Sequence, residues 1–493
     1  MGAEYIISFD VGTSGVKAAL VSLDGELVSS VEKGYPLITP KSGWAEQAPV
    51  DYWDALCVCT RSVVADMGAA AAGIAGISLC TQWKGIIPVD SEGNVLHNSL
   101  IWLDARAEEE AKLLNARMGT RNFTGQSYWA RLMWLKRNRA DIYERAETIF
   151  EANSFLRWKL TGIRATDISN DFIHSYDPTV DAYYHQILEA AGIDKAKFPP
   201  LVQSTAMVGT VTQQAGKALG LPAGLPVFAG CSDIPAVAIG AGCGERNMAH
   251  AYLGTSGWVA SVVEHKSEYV HIPSAAFRQQ DDIVMFGMQS VGLALNWTVA
   301  QFYNAEQKQL GKGIFDLLEQ ELAGVPAGSN RLLATPWLSG ELPPLSERAR
   351  VAFLNGSAVH DRRHFVNAMM ESICYSIRQR IQQCEGLLGH PLEEITAVGG
   401  GASGSHWMQM LADVLQIPVL VPQANQHTGA IGGAYCALMG LGVCRDLSEI
   451  RQKVRIAKRY EPNRENWEEY QRMYEAFTGL YSALEPVFLQ LQM

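Results

Sequence analysis

No stretch of this 493-residue chain approaches the ~18 consecutive apolar residues of a membrane-spanning helix. The N-terminus reaches Asp10 before any long apolar run, so no signal peptide is expected. Cysteine is sparse: nine residues are scattered from Cys57 to Cys444, and the one close pair, Cys57 and Cys59, flanks a single valine. Neither a disulfide framework nor a zinc-type spacing is present, so reduced thiols in a cytoplasmic protein are the expectation. Positive charge is in deficit, with a net charge of -11, which disfavours nucleic acid as a main partner because no basic face could neutralise many phosphates. The deficit leaves room for ATP, since a few local dipoles and one metal ion can hold a triphosphate. A Gly-x-x-x-x-Gly-Lys-Ser/Thr sequence is absent, which excludes a P-loop kinase. No low-complexity linker interrupts the chain.

What remains is an ordinary globular composition, 48% hydrophobic and 18% charged, long enough for two or three domains. The opening segment reads as a hairpin. Tyr5 to Phe9 is a buried strand, Asp10 to Gly15 a polar glycine-bearing turn, Val16 to Leu23 a second strand, and Asp24-Gly25 the turn into a third. A related pattern returns at Ala249 to Val263, around Gly254-Thr255-Ser256-Gly257. The two Gly-Thr-Ser-Gly loops begin 254 − 12 = 242 residues apart, close to half the chain, which points to a duplicated architecture. The boundary is placed in the small-residue stretch Gly240 to Gly244, giving domains of 1–245 and 246–493.

Strands and helices alternate elsewhere, which indicates α/β layers. Ile74 to Leu79 and Ile395 to Val398 read as strands. Arg363 to Leu388 reads as an amphipathic helix with Val366, Met369, Ile373, Ile377 and Ile381 on one face. Gly404 to Gln416 and Gly429 to Met439 read as helices about the strand Ile417 to Val421, and Asn463 to Leu489 as one terminal helix.

A phosphate oxygen needs hydroxyls and closely spaced backbone N–H groups, and glycine lets the backbone approach it. Thr13 and Ser14 supply them in one half, and Gly254, Thr255 and Ser256 in the other. Either loop alone would pass for a tight turn; two copies, one preceded by Asp10, favour phosphate. Asp10 ends a buried strand, where a carboxylate is costly unless paired or metal-bound, and it suits Mg²⁺ held partly through water. Lys17 is placed to neutralise phosphate charge. A third cluster, Gly399 to Gly404, satisfies the dinucleotide pattern Gly-x-Gly-x-x-Gly and raises an oxidoreductase as a rival. The strand after it runs into Pro422-Gln423-Ala424-Asn425, without the acid that would hold a ribose, so the cluster reads better as a surface for adenosine. Asp233 lies between the strand Val227 to Cys231 and an apolar helix, Ala236 to Gly242. As an N-cap it would be unremarked; as an aspartate in reach of a hydroxyl it is the usual base of a phosphoryl transfer.

Together Phe9 to Lys17, Ser232-Asp233, Leu253 to Gly257, Leu338-Ser339-Gly340-Glu341, His364 to Glu371 and Gly399 to Ala402 resemble the FGGY carbohydrate kinases, and xylulose kinases among them. The resemblance runs from Ile6 to about Gly440. It implies an α/β protein of two ribonuclease-H-like domains, of the actin and Hsp70 kind, flanking a central catalytic cleft. It implies ATP and Mg²⁺ as cofactors, Asp233 as base and Asp10 as metal ligand. Gly254, Thr255 and Ser256 would face phosphates, and Gly400, Gly401 and Ser405 adenosine. The sugar would meet Gln82, Trp83, Lys84, Trp102, Asp104 and Asp233. A small sugar or polyol is then the partner, D-xylulose or a related ketopentose foremost, with ribulose, erythritol or gluconate as alternatives; a homodimer is common in the family. An actin-like nucleotide sensor is the reading from another class. Gln82-Trp83-Lys84-Gly85 departs from the Gln-Met-His-Gly of xylulose kinases. Asp233-Ile234 departs from Asp-Asn, Gly340-Glu341-Leu342 from Gly-Glu-Arg, and Arg131 replaces a lysine. These changes spare the kinase chemistry and loosen the link to xylulose. Lys84, facing the sugar, would suit a substrate bearing a carboxylate.

Overall fold

The computed structural model describes residues 4–266, 277–278, 280–338, 340–342 and 348–491. They form two compact units. The first comprises the chain to Glu245, the described part of 264–283, and His427–Val454. Its sheet runs in the order Met207–Thr210, Pro226–Phe228, Ile74–Thr81, Tyr5–Val11, Gly15–Ser22, Leu27–Gly34, and Cys231–Ser232 adds to Ile74–Thr81. Tyr5–Val11 is antiparallel to Gly15–Ser22 and parallel to Ile74–Thr81. Ile7, Phe9 and Val11 pack with Tyr52, Ala55 and Leu56 of the helix Pro49–Met67. Strand alternation turns Ser8 and Asp10 to the opposite face, where the helix Thr428–Gly440 lies. This explains why the strand reads as nearly continuous apolar sequence: helices cover both faces.

The second unit comprises Arg246–Val263, Val284–Gln426 and the described chain from Arg455. Its sheet order is Asp281–Met288, Gly257–Glu264, Ala249–Leu253, Ile395–Val398, Val419–Pro422, Ile456–Tyr460. Read from Leu27–Gly34 inward, the first sheet repeats this order strand for strand. Each holds an antiparallel hairpin around Gly-Thr-Ser-Gly, then two parallel strands and an antiparallel edge. The duplication seen in the two loops is thus a duplication of whole sheets. The helix Arg362–Leu388 buries Val366, Met369, Ile373, Ile377 and Ile381, as its periodicity predicts.

Three local expectations change. The helix after Val227 begins at Asp233 rather than Ala236, because Pro235 fits the first turn, where no N–H is needed. The preceding strand breaks at Gly230, whose left-handed φ of 70° is required since a β-carbon would fall 1.9 Å from the Leu79 carbonyl oxygen. The single terminal helix is two, Trp467–Thr478 and Leu480–Leu491, which meet at Gly479.

The segment 427–454 joins the first unit although it lies far along the expected C-terminal domain. The cause is packing of the helix Thr428–Gly440 against Asp233–Gly240. A β-carbon at Gly432 would lie 1.8 Å from the Ala236 carbonyl oxygen, and one at Gly240 2.0 Å from that of Thr428. Only glycine allows this backbone approach. Among the described residues no helix is long and apolar enough to cross a membrane.

Candidate active site

Asp10 stands directly across from Lys17 in the first hairpin, and its Oδ1 accepts a hydrogen bond from the Cys80 thiol at 3.8 Å. Burial raises its carboxyl above the usual aspartate range, against the opposing pull of Lys17. Asp233 is the first residue of its helix, and its Oδ1 accepts from the Ile234 N–H at 3.0 Å. Burial pushes its carboxyl up to about 7, and the charge of Asp10 adds to the rise. Two carboxyls that feel each other, one poised near neutrality, suit one metal ligand and one proton acceptor. Among the described residues no cluster of three or more His, Cys, Asp or Glu could hold a metal by itself. Mg²⁺ needs none, since it takes one or two carboxylates and completes its shell with water and phosphate oxygens. Asp10, whose described polar partner is a weak thiol donor, fits that demand.

Thr13 is the hub of the first loop. Its hydroxyl donates to Gln82 Oε1 at 3.2 Å and accepts from Trp102 Nε1 at 3.1 Å. Its carbonyl accepts from Gln47 Nε2 at 2.6 Å. Gln82 Nε2 donates on to Gln47 Oε1 at 2.7 Å, an atom that also accepts from Tyr52. Tyr35 donates its hydroxyl proton to the Gly12 carbonyl. One buried polar network therefore ties the loop to the Gln82 and Trp102 segments. Ser14 is exposed at the loop tip and Lys17 is half-buried in its strand.

The Lys84 ammonium lies 3.9 Å from the Trp83 ring centroid and 5.3 Å from that of Phe172. Arg131, buried, donates to the carbonyls of Lys84, Leu100, Ile101 and Gln126. It clamps the two candidate sugar segments together. Asp104 is buried, and its oxygens accept from Arg106 and from the Ala45 N–H at 2.7 Å. Its carboxylate is engaged within the protein, and Arg106 in turn stacks on Trp44 at 3.8 Å.

In the second unit Gly254, Thr255 and Ser256 form a tight loop, closed by a bond from the Gly254 N–H to the Ser256 carbonyl. The carbonyls of Gly254 and Thr255 accept from Gly292 and Val291, fixing the loop to the start of the helix Gly292–Phe302. Thr255 is exposed. The Gly399–Gly401 turn lies beside the end of Ala249–Leu253, since a β-carbon at Gly401 would meet Leu253 Cβ at 2.9 Å and Trp407 at 2.8 Å. Gly400 differs: a β-carbon there would have nothing within 4 Å. Ser405 opens the helix Ser405–Leu415, exposed, and accepts from Lys458 Nζ at 3.0 Å. Backbone N–H groups, an open glycine and a helix start fit a nucleotide.

Residues 5–240 match the N-terminal domain of the FGGY family of carbohydrate kinases, and residues 249–441 its C-terminal domain. The chain belongs to this family. It is 28% identical to a xylulose kinase of Bacillus subtilis (strain 168), over 97% of each chain. To an L-xylulose/3-keto-L-gulonate kinase of Escherichia coli (strain K12) it is 26% identical, over 98% of this chain and 97% of that one. The solved xylulose kinase of Rhodospirillum rubrum superposes with a TM-score of 0.83 at 26% identity, covering 98% and 99% of the two chains. The protein is a phosphotransferase acting on a carbohydrate hydroxyl, with ATP as donor. Family membership removes the oxidoreductase and sensor readings.

The local sequence does not mark Tyr35, Gln47 and Tyr52, whose polar atoms meet only through tertiary contact. Nor does it mark the chain of contacts behind the Gly400 turn. There His406 Nε2 meets Asn367 Oδ1 at 2.9 Å, and Asn367 Nδ2 donates to Glu371 Oε1 at 3.1 Å. Glu371, buried, also accepts from the Gly328 N–H and the Ser329 hydroxyl, each at 2.8 Å. Of the motif Leu338 to Glu341, Ser339 lies outside the described residues. Glu341 is buried and accepts from the N–H of Gln289 and Leu342.

Proposed function

We propose that this kinase transfers the γ-phosphate of Mg·ATP to a hydroxyl of a small sugar or polyol, a ketopentose of the xylulose kind being the first candidate. Asp233 acts as the base. The observation that carries this reading is its carboxyl, on the first residue of the helix Asp233–Gly240, raised to about 7 by burial and by the charge of Asp10. Such a group is ionised enough at neutral pH to take a hydroxyl proton, and basic enough to hold it. Asp10 would hold Mg²⁺ through water, with Lys17 offsetting phosphate charge. Mg²⁺ would supply charge neutralisation on the phosphate oxygens. Gly254, Thr255 and Ser256 would bind phosphate, and Gly400, Gly401 and Ser405 the adenosine. Gln82 and Trp102, joined through Thr13, would shape the sugar side.

The relatives named as xylulose and 3-keto-L-gulonate kinases support a short-chain substrate. A coupled ADP-release screen over ketopentoses, pentitols, tetritols and aldonates tests the reading. ADP release that depends on one of these sugars and disappears in Asp233→Asn is expected. ADP release indifferent to any sugar would refute it.

A further inference from the structure

Lys84 adopts a left-handed backbone, φ 61°, although it is not glycine. That conformation is uncommon for a long side chain and persists only where surroundings impose it. Here they do: Arg131 Nη2 donates to the Lys84 carbonyl at 2.8 Å, and the same guanidinium is pinned by the carbonyls of Leu100 and Ile101 at 2.8 and 2.6 Å. The turn lays the ammonium over Trp83 and within reach of Phe172. Among the described residues, no carboxylate lies within ion-pair distance of it, and no oxygen accepts its protons. A half-buried ammonium with three donors and only ring faces for company is costly unless a ligand completes it.

We propose that Lys84 is the carboxylate-binding residue of the sugar pocket, and that the physiological acceptor is a short-chain sugar acid, an aldonate or keto-aldonate, rather than a neutral ketopentose. The inference rests on the kinase reading and, within its class of small sugars and polyols, puts a sugar acid in place of the ketopentose as first candidate. A monoanion is favoured over a phosphate ester because Lys84 offers a single charge, and the neighbouring Arg131 is committed to backbone carbonyls. The described hydrogen bonds of Arg131 go to carbonyls, and those of Arg157 go to Asn153, Ala165 and Ala229. Lys84 and Asp233 each feel the other's charge, which is consistent with one acceptor molecule meeting both. The neighbouring Glu151 forms no ion pair with Lys84 among the described residues, and burial raises its carboxyl well above the usual range.

The test compares kcat/KM for paired acceptors, aldonates and keto-aldonates against pentitols and ketopentoses of matching length, in wild type, Lys84→Met and Lys84→Arg. The acid is expected to be preferred by wild type. The acid-to-neutral ratio should fall about 10- to 100-fold in Lys84→Met, the worth of a charge-assisted hydrogen bond, and survive largely in Lys84→Arg. A pH series on wild type guards against a misfolded methionine variant. Burial and the nearby Arg131 pull the Lys84 ammonium down to about 8, with Glu151 and Asp233 opposing. The preference should therefore weaken as pH rises through that value. A wild type that prefers neutral sugars, or a ratio unmoved by Lys84→Met and by pH, overturns the inference and leaves the kinase reading standing. No ADP release with either class would overturn both.

Discussion

A β-carbon on Gly429 would stand 2.9 Å from Oδ2 of Asp10. The glycine brings the first turn of the helix Thr428–Gly440 against the carboxylate proposed to hold Mg²⁺, and a helix N-terminus favours negative charge. Gly429→Ala has to move either the helix or the carboxylate. Displacing a reacting group by about 1 Å can cost about 100-fold in rate. The expected outcome is a kcat loss of that order with a folded circular dichroism spectrum and a raised requirement for Mg²⁺. Unchanged Mg²⁺ dependence would count against Asp10 as ligand.

Asp233 links stability to function with opposite signs. Its carboxyl rises from 3.8 to about 7 on folding, so the folded state holds the proton more tightly than the unfolded one. Its contribution is therefore most favourable below pH 4 and is lost as pH climbs through about 7. Asp233→Asn, neutral throughout, should abolish sugar phosphorylation yet melt at a higher temperature than wild type at pH 8. The gap between the two should open between pH 4 and pH 7 and stay level above it. A lower melting temperature for the variant at pH 8 would contradict the burial argument.

The wild-type rate should follow the same group. kcat/KM reports ionisations of the free enzyme, and the base works only when deprotonated. It should rise with pH and level off above about 7, with the alkaline limb set by other groups. A profile already flat from pH 5 would assign the proton transfer elsewhere.

How much of this was legible in the chain divides along physical lines. Local patterns carried the hairpins, the duplicated loops and the long helix, because apolar periodicity and Gly-Thr-Ser-Gly turns are written in adjacent residues. The return of 427–454 to the first unit was not legible. Gly429, Gly432 and Gly433 advertise close packing, and nothing in a small-residue helix names its partner. The same holds for Thr13, whose place in the loop suggests a phosphate hydroxyl. Its hydroxyl is in fact engaged by Gln82 and Trp102, 69 and 89 residues away. Asp104 read as a sugar contact, since the Arg106 clamp over it depends on Trp44 and Glu46 arriving from another segment.

Glu371 offers a check on the support behind the adenosine turn. Burial raises its carboxyl to about 8, so at neutral pH it is a protonated acid accepting from Gly328, Ser329 and Asn367. Glutamine keeps both the shape and the accepting oxygen. Glu371→Gln should match wild type in stability below about pH 4.5 and become relatively more stable as pH rises from there through about 8, because wild type must first keep a proton the unfolded chain releases and then carry a buried charge. Glu371→Leu strands several donors and should lose about 1–3 kcal/mol for each left unsatisfied, read by urea denaturation.

Neighbouring glycines separate packing from nucleotide binding. At Gly401 a new side chain would collide with Trp407 and Leu253, whereas at Gly400 it would project into open space. Gly401→Ala should therefore lower the melting temperature, because a well-packed core resists added volume by about 1–3 kcal/mol. Gly400→Val should leave the melting temperature of the free protein unchanged, since nothing in the fold is displaced. Its effect should fall on the ligand: KM for ATP rises about 10-fold or more while KM for the sugar holds. The ATP-induced rise in melting temperature, which depends on the ratio of ligand concentration to Kd, should shrink in step. If Gly400→Val binds ATP as wild type does, the open space beside that glycine serves something other than the adenosine.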